Sequence, residues 1–240
     1  MNYVYDDGGV YIKNLANCAE KYGIGQYRFA HSYELAGKDF AITAGDKEYK
    51  LALKGKKNVV FEGKEYAYEC LKLELNTYFV CFGLNVAVFD LEQCLVTLSL
   101  GDEYIHGTIG TLDQKCKCGC SQASHGCAGD DMVGTNVAWI LGCGRFTAQD
   151  FYEAGKCRVA WSPRENEPYE QPCKATKIKG PIYLVDIKGR VHQGVCAPFF
   201  TNRVIMLQDY DHMMTVGCVM GEGFDPIMIS GYAKFLNEKV

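Results

Sequence analysis

A run of twelve residues near the middle of the chain, CKCGCSQASHGC, contains four cysteines and one histidine. Thiolates and imidazoles bind zinc, and four of them complete a tetrahedral site. Cys116, Cys118 and Cys120 alternate at a spacing of two, whereas structural zinc sites pair their cysteines as C-x2-C to C-x4-C. Alternate residues of an extended segment stand about 6 to 7 Å apart, too far for one ion without a turn. The run is either a metal site completed by Cys127 or His125 or a thiol-rich linker, and the spacing favours the linker.

Two carboxylates lie on the apolar side of predicted strands. In YAYECLKLEL, Glu69 shares a strand face with Leu71 and Leu73, and in YLVDIKG, Asp186 shares a face with Leu184. A carboxylate on a core face pairs with a cation or has a raised pKa, and both suit acid or base chemistry. A one-residue bulge would instead turn Glu69 outward, so both placements stay open. Glu69 and Asp186 are the candidate catalytic residues.

Aromatic and cationic side chains could hold a substrate beside these carboxylates. Tyr27, Tyr152 and Tyr183 offer phenols, and Arg158 and Arg203 offer guanidinium groups that bind a carboxylate at two points. An apolar cup lined by such groups would bind a small aromatic or phenolic acid. Aromatic residues at strand spacing also form the ordinary core or rim of β proteins. A ligand-binding cup and ordinary packing are therefore both open interpretations of these residues.

No motif points to a covalent nucleophile or to a cofactor. The chain has neither a G-x-S-x-G elbow nor a phosphate-binding glycine loop. His106, His192 and His212 lie in separate runs without the spacing of metal ligands. We therefore expect chemistry or binding without a cofactor.

Composition argues against two classes of partner. The chain has 240 residues and a formal net charge of −4, so it offers no basic field to attract nucleic acid phosphates or acidic lipids. No apolar run approaches the roughly twenty residues that span a bilayer, and the opening MNYVYDDGGV does not resemble a signal peptide. Most of the 13 cysteines stand singly in apolar runs, as reduced buried thiols do. We expect a cytoplasmic protein without nucleic acid or membrane partners.

The elements that would position these residues are mostly short strands. Residues 11–24, YIKNLANCAEKYGI, repeat apolar side chains at helical spacing and approach their end at Gly23, which predicts a short amino-terminal helix. From residue 26 onward, runs rich in Val, Leu, Tyr, Phe and Thr are separated by turn residues at hairpin-like intervals. Since no helix of crossover length separates these runs, the sequence predicts an all-β, antiparallel fold.

The second half of the chain repeats the first. YFVCFG, NVAVFD, LVTLSL and IHGTIG are followed in the same order by YLVDIKG, GVCAPFF, RVIML and TVGCVMG. Each copy offers roughly seven or eight strands, enough to close a small up-and-down barrel with room for one ligand. This duplication predicts a helical lead at 1–25, a first barrel at 26–112, a Cys-rich linker at 113–131 and a second barrel with a carboxy-terminal tail at 132–240.

The second half also resembles the carboxy-terminal domain of the MoaF family, through DDMVGTNVAWILGCGRF, FYEAGKCRVAW, CKATKIKGPIYLVDIKG and TVGCVMG. The first half looks like the amino-terminal domain of that family. The resemblance implies two lipocalin-like (calycin) barrels in tandem, in agreement with the duplication. The family's name points to molybdenum cofactor biosynthesis, but the residues offer no support for that role, and the family supplies no agreed set of catalytic residues.

Two main functional hypotheses follow. The first is a lyase, decarboxylase or isomerase that needs no organic cofactor and acts on a small aromatic or phenolic metabolite. It takes its analogy from calycin-related phenolic acid decarboxylases, in which an Arg and a Tyr hold the substrate while a Glu moves the proton. The alternative is a non-enzymatic carrier or sensor of an apolar metabolite, with one barrel purely structural.

One structural feature separates these hypotheses. Binding needs shape and one or two polar anchors, whereas proton chemistry needs an inward carboxylate with a charged or phenolic neighbour. A third possibility is a metal or redox sensor built on the cysteine run. Exposed strand edges would also allow a homodimer.

Overall fold

A computed structural model describes residues 3–6, 9–12, 29–111, 124–142, 145–160, 169–189, 203–221 and 225–236. Within these residues the chain forms β-strands and no helix. Its two compact units are Phe29–Gly126, and Met1–Arg28 with Cys127–Val240. The division after Gly126 lies inside the segment 113–131 that the sequence assigns to a linker. No helix in the described ranges has the length and apolar character needed to cross a membrane.

The chain opens with a short hairpin. Strands β1 (Tyr3–Asp6) and β2 (Gly9–Ile12) pair antiparallel, with Tyr3 opposite Ile12. The predicted helix at 11–24 is therefore wrong for its first two residues, and the rest of it lies outside the described residues. Tyrosine and valine favour extended backbone, and an Asp-Gly pair between two such runs is a strong hairpin signal, so the local sequence favours strands over the helical periodicity.

The first unit is a closed, eight-stranded barrel. Its strands are β3 (Asp39–Ala44), β4 (Lys47–Lys54), β5 (Asn58–Phe61), β6 (Lys64–Glu74), β7 (Thr77–Phe82), β8 (Asn85–Asp90), β9 (Leu95–Leu100) and β10 (Glu103–Thr111). Each strand pairs antiparallel with the next, and β10 returns to β3, where Ile109 lies opposite Ile42. Closure leaves no free edge in this sheet.

The second unit contains a second barrel of the same kind. Its strands are β12 (Thr135–Gly142), β13 (Arg145–Glu153), β14 (Lys156–Ala160), β15 (Tyr169–Lys179), β16 (Ile182–Lys188), β17 (Arg203–Asp209), β18 (Met214–Met220) and β19 (Ile227–Phe235), and the short β11 (Gly126–Cys127) is added beside β15. Pairing of β19 with β12, where Ala233 lies opposite Trp139, closes the barrel. The prediction of two antiparallel barrels in tandem is confirmed.

The two barrels also share their register. In the fourth strand of each, pairing shifts by one residue near the end, between Lys72 and Glu74 in β6 and between Lys177 and Lys179 in β15. Lys72 lies opposite Tyr78, as Lys177 lies opposite Tyr183. A bulge repeated at one position with the same residue types around it confirms the internal duplication. The register matches β8 with β17 and β9 with β18. The sequence-based matching of RVIML to LVTLSL and of TVGCVMG to IHGTIG is therefore wrong by one strand, and GVCAPFF lies outside the described residues.

Candidate functional site

The interior of the second barrel is lined by polar as well as apolar side chains. Its buried apolar residues include Val137, Trp139, Phe151, Val159, Val185, Met206 and Ile229. Thr147 and Gln149 alternate with outward positions on β13, as Gln208 does on β17, and all three are fully buried. Buried amides and hydroxyls cost free energy unless they are hydrogen-bonded, so their partners decide what this interior can do.

Gln149 and Gln208 form a hydrogen-bonded relay with Tyr210, which packs against the same core. The Tyr210 hydroxyl donates to Gln208 Oε1 at 2.7 Å, and Gln208 Nε2 donates to Gln149 Oε1 at 2.8 Å. Gln149 Nε2 lies 3.4 Å from the sulfur of Met206, which is a weak acceptor. Burial raises the pKa of Tyr210 well above its usual range, with a smaller contribution from the Cys173 thiol. The phenol therefore stays protonated at neutral pH and orients both amides.

Two buried polar atoms beside the relay have no hydrogen-bond partner among the described residues. They are the indole Nε1 of Trp139 and the hydroxyl of Thr147, and the two residues lie opposite each other on β12 and β13. The Trp139 ring packs edge-on against Tyr210, with ring centroids 5.5 Å apart. Because buried polar groups in proteins are almost always bonded to protein, water or ligand, this interior has donor capacity left over.

Two free cysteines lie in the same core. Cys157 on β14 and Cys173 on β15 are both buried. A hydrogen bond with the Cys173 thiol, together with burial, raises the pKa of the Cys157 thiol far above its usual range. Since the thiolate is the reactive form of cysteine, Cys157 acts at neutral pH as a small, polarisable part of the wall and not as a nucleophile.

The first barrel is filled instead by rings. Phe40 packs against Phe89 with ring centroids 4.7 Å apart, and Phe61 packs against Phe82 at 5.6 Å. The Tyr68 hydroxyl donates to the carbonyl of Gly55 at 2.8 Å. Thr77, Thr97 and Ser99 of this barrel are also buried, but they alternate with the core residues Tyr78, Val96 and Leu98 and face outward.

Shared register assigns each inward residue of the second barrel to a position in the first. Val137 lies opposite Gln149 as Phe40 lies opposite Leu51, and Tyr183 lies opposite Gln208 as Tyr78 lies opposite Phe89. Trp139, Thr147, Gln149, Cys173, Ile187 and Gln208 thereby occupy the positions of Ile42, Tyr49, Leu51, Tyr68, Phe82 and Phe89.

An acid, a lysine and a tyrosine meet at the start of the first barrel, and we call this group the first closing cluster. Lys72 Nζ lies 2.8 Å from Glu34 Oε1, and the Tyr78 hydroxyl donates to Glu34 Oε2 at 2.6 Å. The hydrogen bond from Lys72 is the main cause that lowers the pKa of Glu34. The cluster ties the turn before β3 to the bulge at the end of β6.

A second closing cluster repeats this arrangement. Lys177 Nζ lies 2.6 Å from Asp131 Oδ2, and the Tyr183 hydroxyl donates to the same oxygen at 3.3 Å. The hydrogen bond from Lys177 is likewise the main cause that lowers the pKa of Asp131. The glycines that end the two turns have φ of 82° at Gly37 and 85° at Gly134, a conformation that glycine adopts without strain.

Glu69 lies on the outward face of β6. Its strand neighbours Tyr68 and Cys70 belong to the core of the first barrel, and side chains alternate between faces along a strand. Leu71 shares the outward face with Glu69 and is nonetheless fully buried. The prediction that the apolar face is the inward one is wrong here, because both faces of this strand carry buried residues. A catalytic role for Glu69 stays a prediction.

Asp186 and Arg203 are brought together, but on the outward face of the second barrel. The neighbours Val185 and Ile187 belong to the core, so Asp186 faces the other way. Arg203 Nε and a terminal guanidinium nitrogen each lie 2.9 Å from an Asp186 oxygen, and the Asp186 side chain is 0% exposed. The inward placement of Asp186 is therefore wrong. The guanidinium binds the carboxylate at two points, but that carboxylate belongs to the protein itself.

Tyr152 and Arg158 also meet outside the barrel. The Arg158 guanidinium lies 4.3 Å from the centre of the Tyr152 ring and reaches Asp150 at 3.5 Å and Glu170 at 3.7 Å. Arg158 lies between Cys157 and Val159, which are both in the core, so the guanidinium is on the outward face. Of the predicted binding residues in the described ranges, Tyr183 alone packs against the core of the second barrel.

The remaining sequence candidates are mostly outside the described residues. Tyr27 is one of them, and Cys116, Cys118 and Cys120 are the others. Cys127 is a free, exposed thiol whose sulfur accepts a hydrogen bond from the Gly129 amide. The metal hypothesis for the cysteine run stays a prediction. Among the described cysteines, Cys94 is disulfide-bonded, so it is an exception to the expectation that most cysteines are reduced, buried thiols.

Sequence reasoning missed the relay because it searched inward positions for charged and phenolic groups only. A usable signal was present in RFTAQDF, where Thr147 and Gln149 share a face with Phe151. In RVIMLQD, Gln208 shares a face with Val204 and Met206. Uncharged polar residues on an otherwise apolar strand face would have marked the interior of the second barrel.

Comparisons with known proteins add little to this geometry. No protein-family model matches the chain, and no curated protein matches it. A solved structure from Burkholderia vietnamiensis, provisionally named a beta-lactamase, is similar to 44% of this chain and 95% of its own, at 10% sequence identity and a TM-score of 0.34. A likeness of this size carries no argument about function.

Proposed function

We propose that the protein is a carrier or sensor that binds a small organic molecule inside its second barrel, while the first barrel is structural. The observation that carries this proposal is the pair of buried, unpartnered polar atoms at Trp139 and Thr147, beside the relay through Gln149 and Gln208. A few precisely placed polar groups in an apolar enclosure are typical of small-molecule sites.

The matched positions also favour room for a ligand in the second barrel. Seven rings of the first barrel are replaced by smaller side chains, against three rings gained at Trp139, Phe151 and Tyr210. The smaller side chains are Val137, Thr147, Val159, Gln171, Cys173, Ile187 and Gln208. An eight-stranded barrel is just wide enough for its side chains to fill it or to hold one small ligand. Loss of ring volume in one copy favours the second outcome there.

Placement of the carboxylates favours binding over proton chemistry. The buried carboxylates of the described residues are Asp90, Asp186 and Asp209, and each follows an inward residue on its strand and faces outward. Asp90 and Asp209 accept backbone hydrogen bonds within the turns that follow β8 and β17. An inward acid or base, which a lyase or isomerase would need, is therefore not among them.

One observation keeps the enzymatic reading as a second candidate. In the second closing cluster, Asp131 has an ammonium and a phenol within hydrogen-bond reach. The Tyr183 ring lies 6.0 Å from the ring of Tyr210, at the head of the relay. A cofactor-independent lyase, decarboxylase or isomerase acting on a phenolic metabolite would use this group to move a proton, and its turnover would be lost in Asp131→Asn.

Native mass spectrometry of the freshly purified protein tests the binding proposal. We expect the wild type to carry an organic molecule of discrete mass, and the double variant Gln149→Leu with Gln208→Phe, which installs the residues of the first barrel, to lack it. Tyr152→Phe, on the outward face of β13, is the matched control and should retain the molecule. An identical spectrum for wild type and double variant would contradict the proposal.

Kinship with the MoaF family and a cytoplasmic location are parts of the same proposal. DDMVG, one of the resembling motifs, forms the turn of the second closing cluster, and KIKGPIYL spans the hairpin of β15 and β16. The motifs therefore coincide with the frame of the proposed site. The buried thiols of Cys70 and Cys81 are reduced, which suits a reducing compartment, whereas Cys94 is disulfide-bonded.

A further inference from the structure

We infer that the ligand of the second barrel is a neutral, flat molecule that offers a hydrogen-bond acceptor, such as a carbonyl oxygen or a ring nitrogen. This inference rests on the proposed binding function and narrows its ligand class. It departs from the aromatic or phenolic acid that the sequence led us to expect.

The unused polar atoms call for an acceptor. An indole N–H can only donate, and a threonine hydroxyl donates or accepts. Trp139 and Thr147 are both 0% exposed and lie opposite each other, so one acceptor above the inner face of these two strands could engage both. The oxygens of Gln149 and Gln208 already accept hydrogen bonds from within the relay. The relay therefore leaves less capacity for a ligand that donates.

Charge on the ligand has no counterpart in this interior. Among the described residues of the second unit, no lysine, arginine or histidine is buried. The guanidinium of Arg203 already holds Asp186 on the outward face, and the ammonium of Lys177 holds Asp131. Since an unpaired buried carboxylate costs far more free energy than a buried carbonyl, the interior selects the neutral compound.

The surrounding wall suits a flat, polarisable molecule. Trp139 and Tyr210 present rings, and the sulfur atoms of Met206, Cys157 and Cys173 belong to the same core or pack against it. Aromatic rings and sulfur atoms both make favourable contacts with an aromatic ligand, in edge-to-face or offset geometry.

Titration with three probes of similar ring size tests the ligand class. The probes are coumarin, which is neutral and carries a lactone carbonyl, naphthalene, which has no acceptor, and 2-naphthoate, which is anionic. They are added to wild-type protein freed of any co-purified molecule, and binding is followed by calorimetry. We expect coumarin to bind about tenfold more tightly than naphthalene. In the naphthalene complex the buried donor stays without a hydrogen bond, and that loss weakens binding by about this factor. Binding of 2-naphthoate should be weaker than that of coumarin.

Variants at the two unpartnered residues sharpen this test. Trp139→Phe with Thr147→Val should reduce the preference for coumarin over naphthalene to near unity, and Tyr152→Phe should leave it unchanged. The inference is overturned, and the binding proposal survives, if naphthalene or 2-naphthoate binds at least as tightly as coumarin and its binding is lost in Gln149→Leu with Gln208→Phe. Both are overturned if no probe binds, or if that double variant binds all three as the wild type does.

Discussion

In the first barrel the rings of Phe40 and Phe89 pack against each other, whereas in the second barrel the same positions hold Val137 and Gln208. Around them much of the frame is kept, since each barrel has the same strand order, a bulge near the end of its fourth strand, and a carboxylate, a lysine and a tyrosine at its opening turn. After duplication, the residues that close the barrel stayed the same in kind, while those that fill it diverged. Closure and filling are therefore separable properties of this fold.

The physical reason is that the closing clusters and the interior residues are under different structural constraints. A closing cluster fixes the turn before the first strand, and both barrels need that turn. An interior needs only to be filled and to have its polar groups satisfied. The first barrel fills its interior with rings and aliphatic side chains. The second leaves the polar atoms of Trp139 and Thr147 without partners among the described residues.

The largest effect is expected at the ion pair that only the second barrel has. Arg203→Met leaves the fully buried Asp186 carboxylate without its cation, which should lower the free energy of unfolding by roughly 3 to 5 kcal/mol. Asp186→Cys combined with Arg203→Met installs the residue that the first barrel has at this position, Cys81, and should recover most of the loss. Urea titration measures both, and equal losses in the single and double variants would contradict the argument.

Exchange of the matched interior residues should be asymmetric. Phe89→Gln buries an amide among the rings of the first barrel and removes packing, at a cost of about 2 to 4 kcal/mol. Gln208→Phe adds a ring where the second barrel has lost several, and it should cost less than half as much. If the two reciprocal changes destabilise the protein equally, the two interiors do not differ as described.

The tyrosines of the closing clusters allow a finer comparison. Tyr78 donates to Glu34 at 2.6 Å and Tyr183 to Asp131 at 3.3 Å. Tyr78→Phe should therefore lower the free energy of unfolding by about 1 kcal/mol, and Tyr183→Phe by less. The reverse order in thermal or urea unfolding would show that distance does not rank these bonds.

The smallest effect concerns pH. Hydrogen bonds from the lysines lower the pKa of Glu34 below its ordinary value of 4.5 and that of Asp131 below 3.8. The stabilisation is therefore fully present above those ordinary values and is lost as the pH falls through the lowered ones. Glu34→Gln should lower the melting temperature by about 1 to 2 °C at neutral pH, and by progressively less as the pH falls below 4.5. A difference that grows with acidity would contradict this sign.

Much of the fold could be predicted from the sequence because it rests on local signals. Turn residues between β-branched and aromatic runs marked most hairpins, and the repeated order of the runs marked the duplication. The helix predicted at 11–24 is wrong at Tyr11 and Ile12, which fit a strand as well as a helical face, because short apolar runs satisfy both periods.

The candidate site could be predicted only in part. The sequence showed that Glu69 and Asp186 lie on buried strand faces, but not which face was inward, because strands in both barrels are buried on both sides. Alternation identifies the inward face only when the other face is exposed. The sequence predicts Tyr183 as a substrate-binding residue because it carries a phenol. It does not predict Gln208, because an amide carries no charge and does not titrate.

The sequence by itself determined that this chain forms two antiparallel barrels, since strand propensity, turn chemistry and repetition are written into neighbouring residues. Tertiary structure alone decided which side chains point inward and which of them meet. Gln149 and Gln208 are far apart along the chain but share a hydrogen bond of 2.8 Å, because closure of the sheet brings their strands to face one another. Contacts of that kind depend on the register of every strand between the two residues. No local sequence signal specifies all of these registers together.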